Sequence, residues 1–196
     1  MKKKTASTSK RKSSPAVFDP FNNRLARDIR NTLSDAFVEA VMKSDKSDYQ
    51  NIGRKWLAGN LDAIYADYIE NRLERYEQVF EKIISNGIDD AKIQMLVFWN
   101  EGLFFEVHDH LERLWQQNTG DERQAIKGLI QAAGVYVHLQ FNRRQAAEKL
   151  AAKAMNRILK FAECLSFIDN LNLLVSKLQN LDIAPPLLNN PGLRPH

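Results

Sequence analysis

Residues 61–84 read LDAIYADYIENRLERYEQVFEKII, and the spacing of their apolar positions decides the fold class. Leu61, Ile64, Tyr65, Tyr68, Ile69, Leu73, Tyr76, Val79, Phe80 and Ile83 recur at three- and four-residue steps, with Asp67, Glu70, Glu74 and Glu77 between them. That period lays one apolar stripe along an α-helix that faces a core. Asn86-Gly87 then closes the pattern as a turn.

The same period extends in both directions. Upstream, Asp19-Pro20 reads as a helix start, a cap followed by proline at the first helical position. Leu25, Ile29, Leu33, Ala36, Phe37, Ala40 and Val41 form the apolar face beyond it, and the polar run 43–48 ends that helix. A short amphipathic piece around Ile52, Trp56 and Leu57 leads to a turn at Gly59-Asn60. Downstream, helices are expected at about 91–99, 103–117, 122–141, 144–165 and 168–181. Only Asn118-Thr119-Gly120 separates 103–117 from 122–141, a connection short enough to make the two antiparallel neighbours. Tandem repeats and alternating strand patterns are absent. The expectation is an all-α, single-domain helical bundle of about six to eight helices.

Composition agrees with one packed domain. The chain has 196 residues, 44% hydrophobic and 27% charged, and four of its six prolines fall within the last twelve residues. The middle is therefore almost free of helix breakers. Residues 1–16 contain Lys2, Lys3, Lys4, Lys10, Arg11 and Lys12 and no acid; without them the formal charge goes from +4 to −2. The basic character thus belongs to a Ser/Thr/Lys tail, expected to be disordered. The expected organisation is tail 1–16, helical domain 17–184 (segment 17–90, core 91–165, last helix 166–184) and a disordered, Pro/Asn-rich tail from 185 to 196.

Several function classes drop out. Cys164 is the only cysteine, so no disulfide forms within the chain. The N-terminus has no apolar h-region of a secretory signal, and the uncharged stretch 128–141 falls short of the roughly 20 residues that span a bilayer. A cytoplasmic protein is expected. Gly-rich phosphate loops, a G-x-S-x-G elbow and paired C-x-x-C motifs are all missing.

Chemistry concentrates on two successive helices. On a helical wheel of residues 101–117, Gly102, Glu106, Asp109, His110, Arg113 and Gln117 fall on one side, read as the solvent face. By this reading His110 is a surface residue. Leu103, Phe104, Val107, Leu111, Leu114 and Trp115 fall on the other side. His108 and Glu112 sit at the border, one turn apart, with Phe105 flanking. The following helix is apolar almost all round, except for a stripe of Lys127, Gln131, His138 and Asn142. Antiparallel packing lets His108 and Glu112 face Gln131 and His138, walled by Phe104, Phe105, Trp115 and Tyr136. Ionisable groups in such a place need partners, since burying them unpaired costs several kcal/mol.

Three readings of this cluster stand side by side. It is a satisfied polar network that fixes helix register, a pocket for a small molecule or protein partner, or a metal site. The metal would be a divalent transition ion held by His108, Glu112 and His138, activating water in a hydrolase-like enzyme. The i,i+4 His/Glu pair suits a single ion but is not the H-E-x-x-H pattern. A fourth reading, a nucleic-acid accessory protein, rests on the basic tail alone.

The stretch from Phe104 to Trp115, followed by Gly128-Leu129-Ile130-Gln131 with His138 and Asn142 beyond, resembles the uncharacterised bacterial family known as domain of unknown function 309. That family's motif has the form F-E-x-H-E-x-L-E-x-x-W, then an Arg and a G-L-I-Q helix. The matching positions are Phe105, Glu106, His108, Asp109, Glu112, Trp115, Arg123, Gly128, Gln131 and His138. Asp109 stands in place of the usual Glu, and Phe141 and Gln145 stand where the family often has Gly. The resemblance runs over about residues 96–160 and leaves 17–90 as an extra helical segment. It implies an all-helical fold, adds Glu106, Asp109, Trp115 and Arg123 to the candidate ligand-binding residues, and implies no particular activity.

Overall fold

In the computed structural model, which describes residues 17–190, the chain is all helix and turn. The basic tail 1–16 and residues 191–196 lie outside the described residues. The described part runs α1 (Arg24–Lys43), α2 (Ser47–Leu57), α3 (Ala63–Ser85), α4 (Ala91–Asn100), α5 (Phe104–Gln117), α6 (Gly120–Gln140), α7 (Arg144–Lys160) and α8 (Leu171–Asn180). A 3-10 turn, Ala162–Leu165, precedes α8. No helix among the described residues is long and apolar enough to cross a membrane.

Two boundaries differ from those read in the sequence. The first helix starts at Arg24, not at Pro20. Asp19 spends its carboxylate on a turn, accepting from the Phe21 amide at 2.9 Å, and Asn23 caps the helix by accepting from the Ala26 amide at 2.9 Å. The helix expected over 144–165 ends at Lys160, where Phe161 (φ −118°) breaks into the 3-10 turn.

The hub of the bundle is α6. It packs against α7 on one side and α5 on the other, and Ala125, Leu129, Ala132, Ala133, Val135 and Tyr136 are almost fully inaccessible. Small residues allow the close approach of α7. A Cβ at Gly128 would sit 3.1 Å from the Arg157 Cβ and 3.3 Å from the Ile158 backbone nitrogen.

Helix α5 is enclosed on both sides, which corrects the expected solvent face. It packs on α6, α4 and α1, and Glu106 and His110 are 0% and 3% exposed. The wheel placed them outside because the covering surface comes from other elements, α3 over Glu106 and α4 over His110. The segment 185–190 is likewise not disordered. The Trp99 indole donates to the Pro186 carbonyl at 2.8 Å. Asn100 donates to the Leu188 carbonyl at 2.9 Å and accepts from the Leu188 amide at 2.7 Å. Asn170 makes the same paired contact with Leu187 and Asn189. Two asparagine side chains thus stand in for a backbone ladder, and Leu188 is buried beneath the strap.

Candidate functional site

The polar residues of α5 divide between two environments. The first is the seam with α1 and α3. Glu106 accepts from the Tyr76 hydroxyl at 2.5 Å, and its other oxygen lies 3.7 Å from an Arg72 nitrogen. Arg72 in turn donates to the Tyr68 hydroxyl at 3.3 Å. Burial works most strongly against the Arg72 charge, but the Glu106 carboxylate and the Tyr68 and Tyr76 hydroxyls together outweigh it and raise the guanidinium pKa. Burial, reinforced by the same carboxylate, pushes the Tyr76 phenol well above its usual range. Nearby, Asp109 accepts from the Ser34 hydroxyl at 2.5 Å, and Arg113 binds Asp35 and Glu39 of α1 at 2.6 and 2.7 Å. These groups bind α5 to the N-terminal helices.

His110 belongs to this interior too. Its Nε2 lies 2.9 Å from the Ala91 carbonyl, so Nε2–H donates and Nδ1 is left as an acceptor without a partner. Burial lowers its pKa.

The second environment is a cleft of about 350 Å³ between α1, α5, α6 and α7. Arg30, Phe105, His108, Lys127, Gln131 and His138 line it, with Phe21 and Leu150 at its edge. The Arg30 guanidinium lies 3.7 Å from the centre of the Phe105 ring. His138 stacks on Phe21 at 5.0 Å, and Arg143 lies against the same ring at 4.3 Å. Burial, then the Arg143 charge, lowers the His138 pKa, so the ring is predominantly neutral at pH 7. Gln131 accepts from Arg157 at 3.1 Å, which fixes the orientation of its amide. Its amide nitrogen has no acceptor among the described residues.

The structure therefore brings together four of the residues picked from the sequence: Phe105, His108, Gln131 and His138. It does not assemble the metal triad. His108 and Glu112 do pair, at 3.8 Å, but no group of three His, Cys, Asp or Glu among the described residues is arranged to hold an ion. Glu112 is absent from the cleft lining, and His138 stacks its ring face on Phe21 and pairs with no carboxylate among the described residues. Trp115 and Arg123 also stand apart, stacked on one another at 3.9 Å. Phe104 and Tyr136, expected as walls, are packed with Trp99 in the core.

Sequence reading took Arg30, with Arg24 and Arg27, for a solvated charged helix face rather than a phosphate contact, and it missed Phe21, Arg157 and the Tyr68–Arg72–Tyr76 set. Only the last left a usable signal, a four-and-four spacing on α3. The others come from elements whose docking no local pattern announces.

A larger cleft of about 490 Å³ lies between the ends of α1 and α3 and the flank of α5. Its one cation is spent, since Arg113 is matched by Asp35 and Glu39, the His110 Nε2 is tied to Ala91, and no Phe, Tyr or Trp lines it. The smaller cleft keeps its hydrogen-bonding capacity, and on chemistry it is the stronger candidate.

Residues 93–150, from α4 into α7, match the family described as domain of unknown function 309, and the chain resembles that family over this segment. No curated protein and no solved structure matches the chain. The matched segment contains every cleft residue of α5 and α6, while Phe21 and Arg30 lie outside it.

Proposed function

We propose that the protein binds a small molecule in the cleft between α1, α5 and α6, with His108, Gln131 and His138 as its polar contacts. One observation carries this reading: the two histidines, the amide and two cations line one cleft with aromatic walls, and their hydrogen-bonding capacity is largely unspent. The volume sits near the lower end of the roughly 300–1,000 Å³ of small-molecule sites. In this reading Glu112 sets the orientation of His108, and Glu106 and Asp109 hold α5 in place without touching the ligand.

A fragment screen read by the ring resonances of His108 and His138 tests it. Ligands of this site shift both rings together, and His138→Ala abolishes their binding while leaving the thermal midpoint of a folded protein. If every hit maps to other residues, or none shifts the two rings, the cleft is a structural feature only.

A further inference from the structure

The charges around this cleft are unevenly matched. No carboxylate lines it, and Arg30 and Lys127 both do. Neither cation forms an ion pair among the described residues. Arg30 gives Nε and Nη2 to Asn31, at 3.1 and 2.9 Å, which leaves its Nη1 without a partner. Lys127 has only the face of Trp115, at 4.9 Å. Arg143, on Phe21, adds a third positive charge at the edge. The neighbouring carboxylates are already engaged: Glu106 with Tyr76 and Arg72, Asp109 with Ser34, Glu112 against His108.

Shape adds a second constraint. Phe105 under Arg30 and Phe21 under His138 give the cleft an aromatic lining, and Ile130, Val137 and Leu150 add aliphatic wall. Flat apolar walls favour a planar body. The free Gln131 amide N–H is a donor with nothing to donate to. Donors and cations without acceptors call for a ligand that accepts.

We propose that the cleft takes small organic anions, one carboxylate-sized negative group carried on a flat apolar body. Arg30 and Lys127 hold the charged end, Gln131 donates to it, and Phe21 and Phe105 contact the body. A neutral ligand of the same shape would desolvate two cations without compensating either, and so binds more weakly. This inference rests on the small-molecule reading of the cleft.

The test compares naphthoate with its uncharged amide on the full chain, by titration calorimetry and by the ring resonances of His108 and His138. Naphthoate is expected to bind at least about tenfold more tightly than the amide and to shift both rings. Its advantage should shrink with rising salt. Lys127→Gln should reduce that advantage, and Arg30→Gln with Lys127→Gln should remove it. Lys127 makes no hydrogen bond or ion pair among the described residues and lies against the Trp115 ring, so its variant remains informative if the double variant is unstable. Equal affinity for the two probes overturns the preference for anions and leaves the cleft reading intact. Failure of both probes to shift His108 and His138 at millimolar concentration overturns both.

Discussion

Glu106 is the polar residue on which the docking of α5 depends most, because nothing near it is free to replace its partners. It is fully inaccessible, and its carboxylate faces Arg72, itself buried. Removing one member of such a pair leaves an uncompensated charge, which costs about 3–5 kcal/mol. Glu106→Ala is therefore expected to destabilise the protein by about that amount in chemical denaturation. Replacing both members, Glu106→Leu with Arg72→Met, should cost less than either single change, because the desolvation penalty leaves with the charges. Additive losses in the double variant would show that the two residues act independently. His110 gives a pH signature. Burial, and secondarily Arg113, depresses its pKa, and the same holds for His138 through burial and Arg143. A histidine whose folded pKa lies below its unfolded value of about 6.5 binds protons more readily in the unfolded state. Stability is then full above about pH 6.5 and declines as pH falls from there toward the folded pKa values. The thermal midpoint should drop between pH 7 and pH 5, and His110→Gln, which can still donate to Ala91, should flatten that drop. An unchanged slope in the variant would move the effect to other groups.

At the scale of elements, the glycines of α6 show how the family segment is built. Gly128→Ala forces a Cβ against the Arg157 Cβ and the Ile158 backbone, neither of which moves without shifting α7. At Gly134 the new Cβ meets only the end of the Leu150 side chain, at 2.7 Å, which can rotate away. Alanine also gains about 1 kcal/mol of helix propensity over glycine. Gly128→Ala should therefore destabilise by about 1–3 kcal/mol, and Gly134→Ala should be near neutral, in equilibrium unfolding. Helices were legible in the sequence for the same local reason that makes this comparison simple: a 3.6-residue period is a property of ten neighbours. The period located α3, α4 and α5 to within two residues and gave the all-α class. It could not say which face of α5 met water. Both faces are buried, and the second is covered by Ser34, Asp35 and Arg72, which lie 34 to 78 positions away from their partners. For the same reason His108, Gln131 and His138 were found by pattern and Arg30 was not, since nothing in the run from Arg24 to Arg30 distinguishes a cleft cation from a solvated one.

Across the whole molecule, the family-like segment is held from both ends. The N-terminal helices cover the polar face of α5, and the strap 185–190 closes over Trp99 and Asn100 of α4. Residues 17–90 are thus part of one core: Phe37 of α1 stacks on Tyr76 of α3 at 4.1 Å and lies 5.1 Å from Phe98 of α4. A fragment covering residues 91–190 would expose Glu106 without its partners, lose the acids that bind Arg113, and give up the apolar area covered by α1 and α3. It would also lack Phe21 and Arg30, half of the charged end of the cleft. Such a fragment is expected to keep helical circular dichroism while losing a cooperative thermal transition and dispersed amide resonances, the marks of secondary structure without fixed packing. Addition of a separately produced 17–90 fragment should restore both, since the interface is specific: Ser34 to Asp109, Asp35 and Glu39 to Arg113, Arg72 to Glu106. A cooperative transition in the 91–190 fragment alone, within a few degrees of the full chain, would show instead that the family-like segment folds by itself and that the N-terminal helices are an accessory that brings Arg30 to a pre-existing cleft.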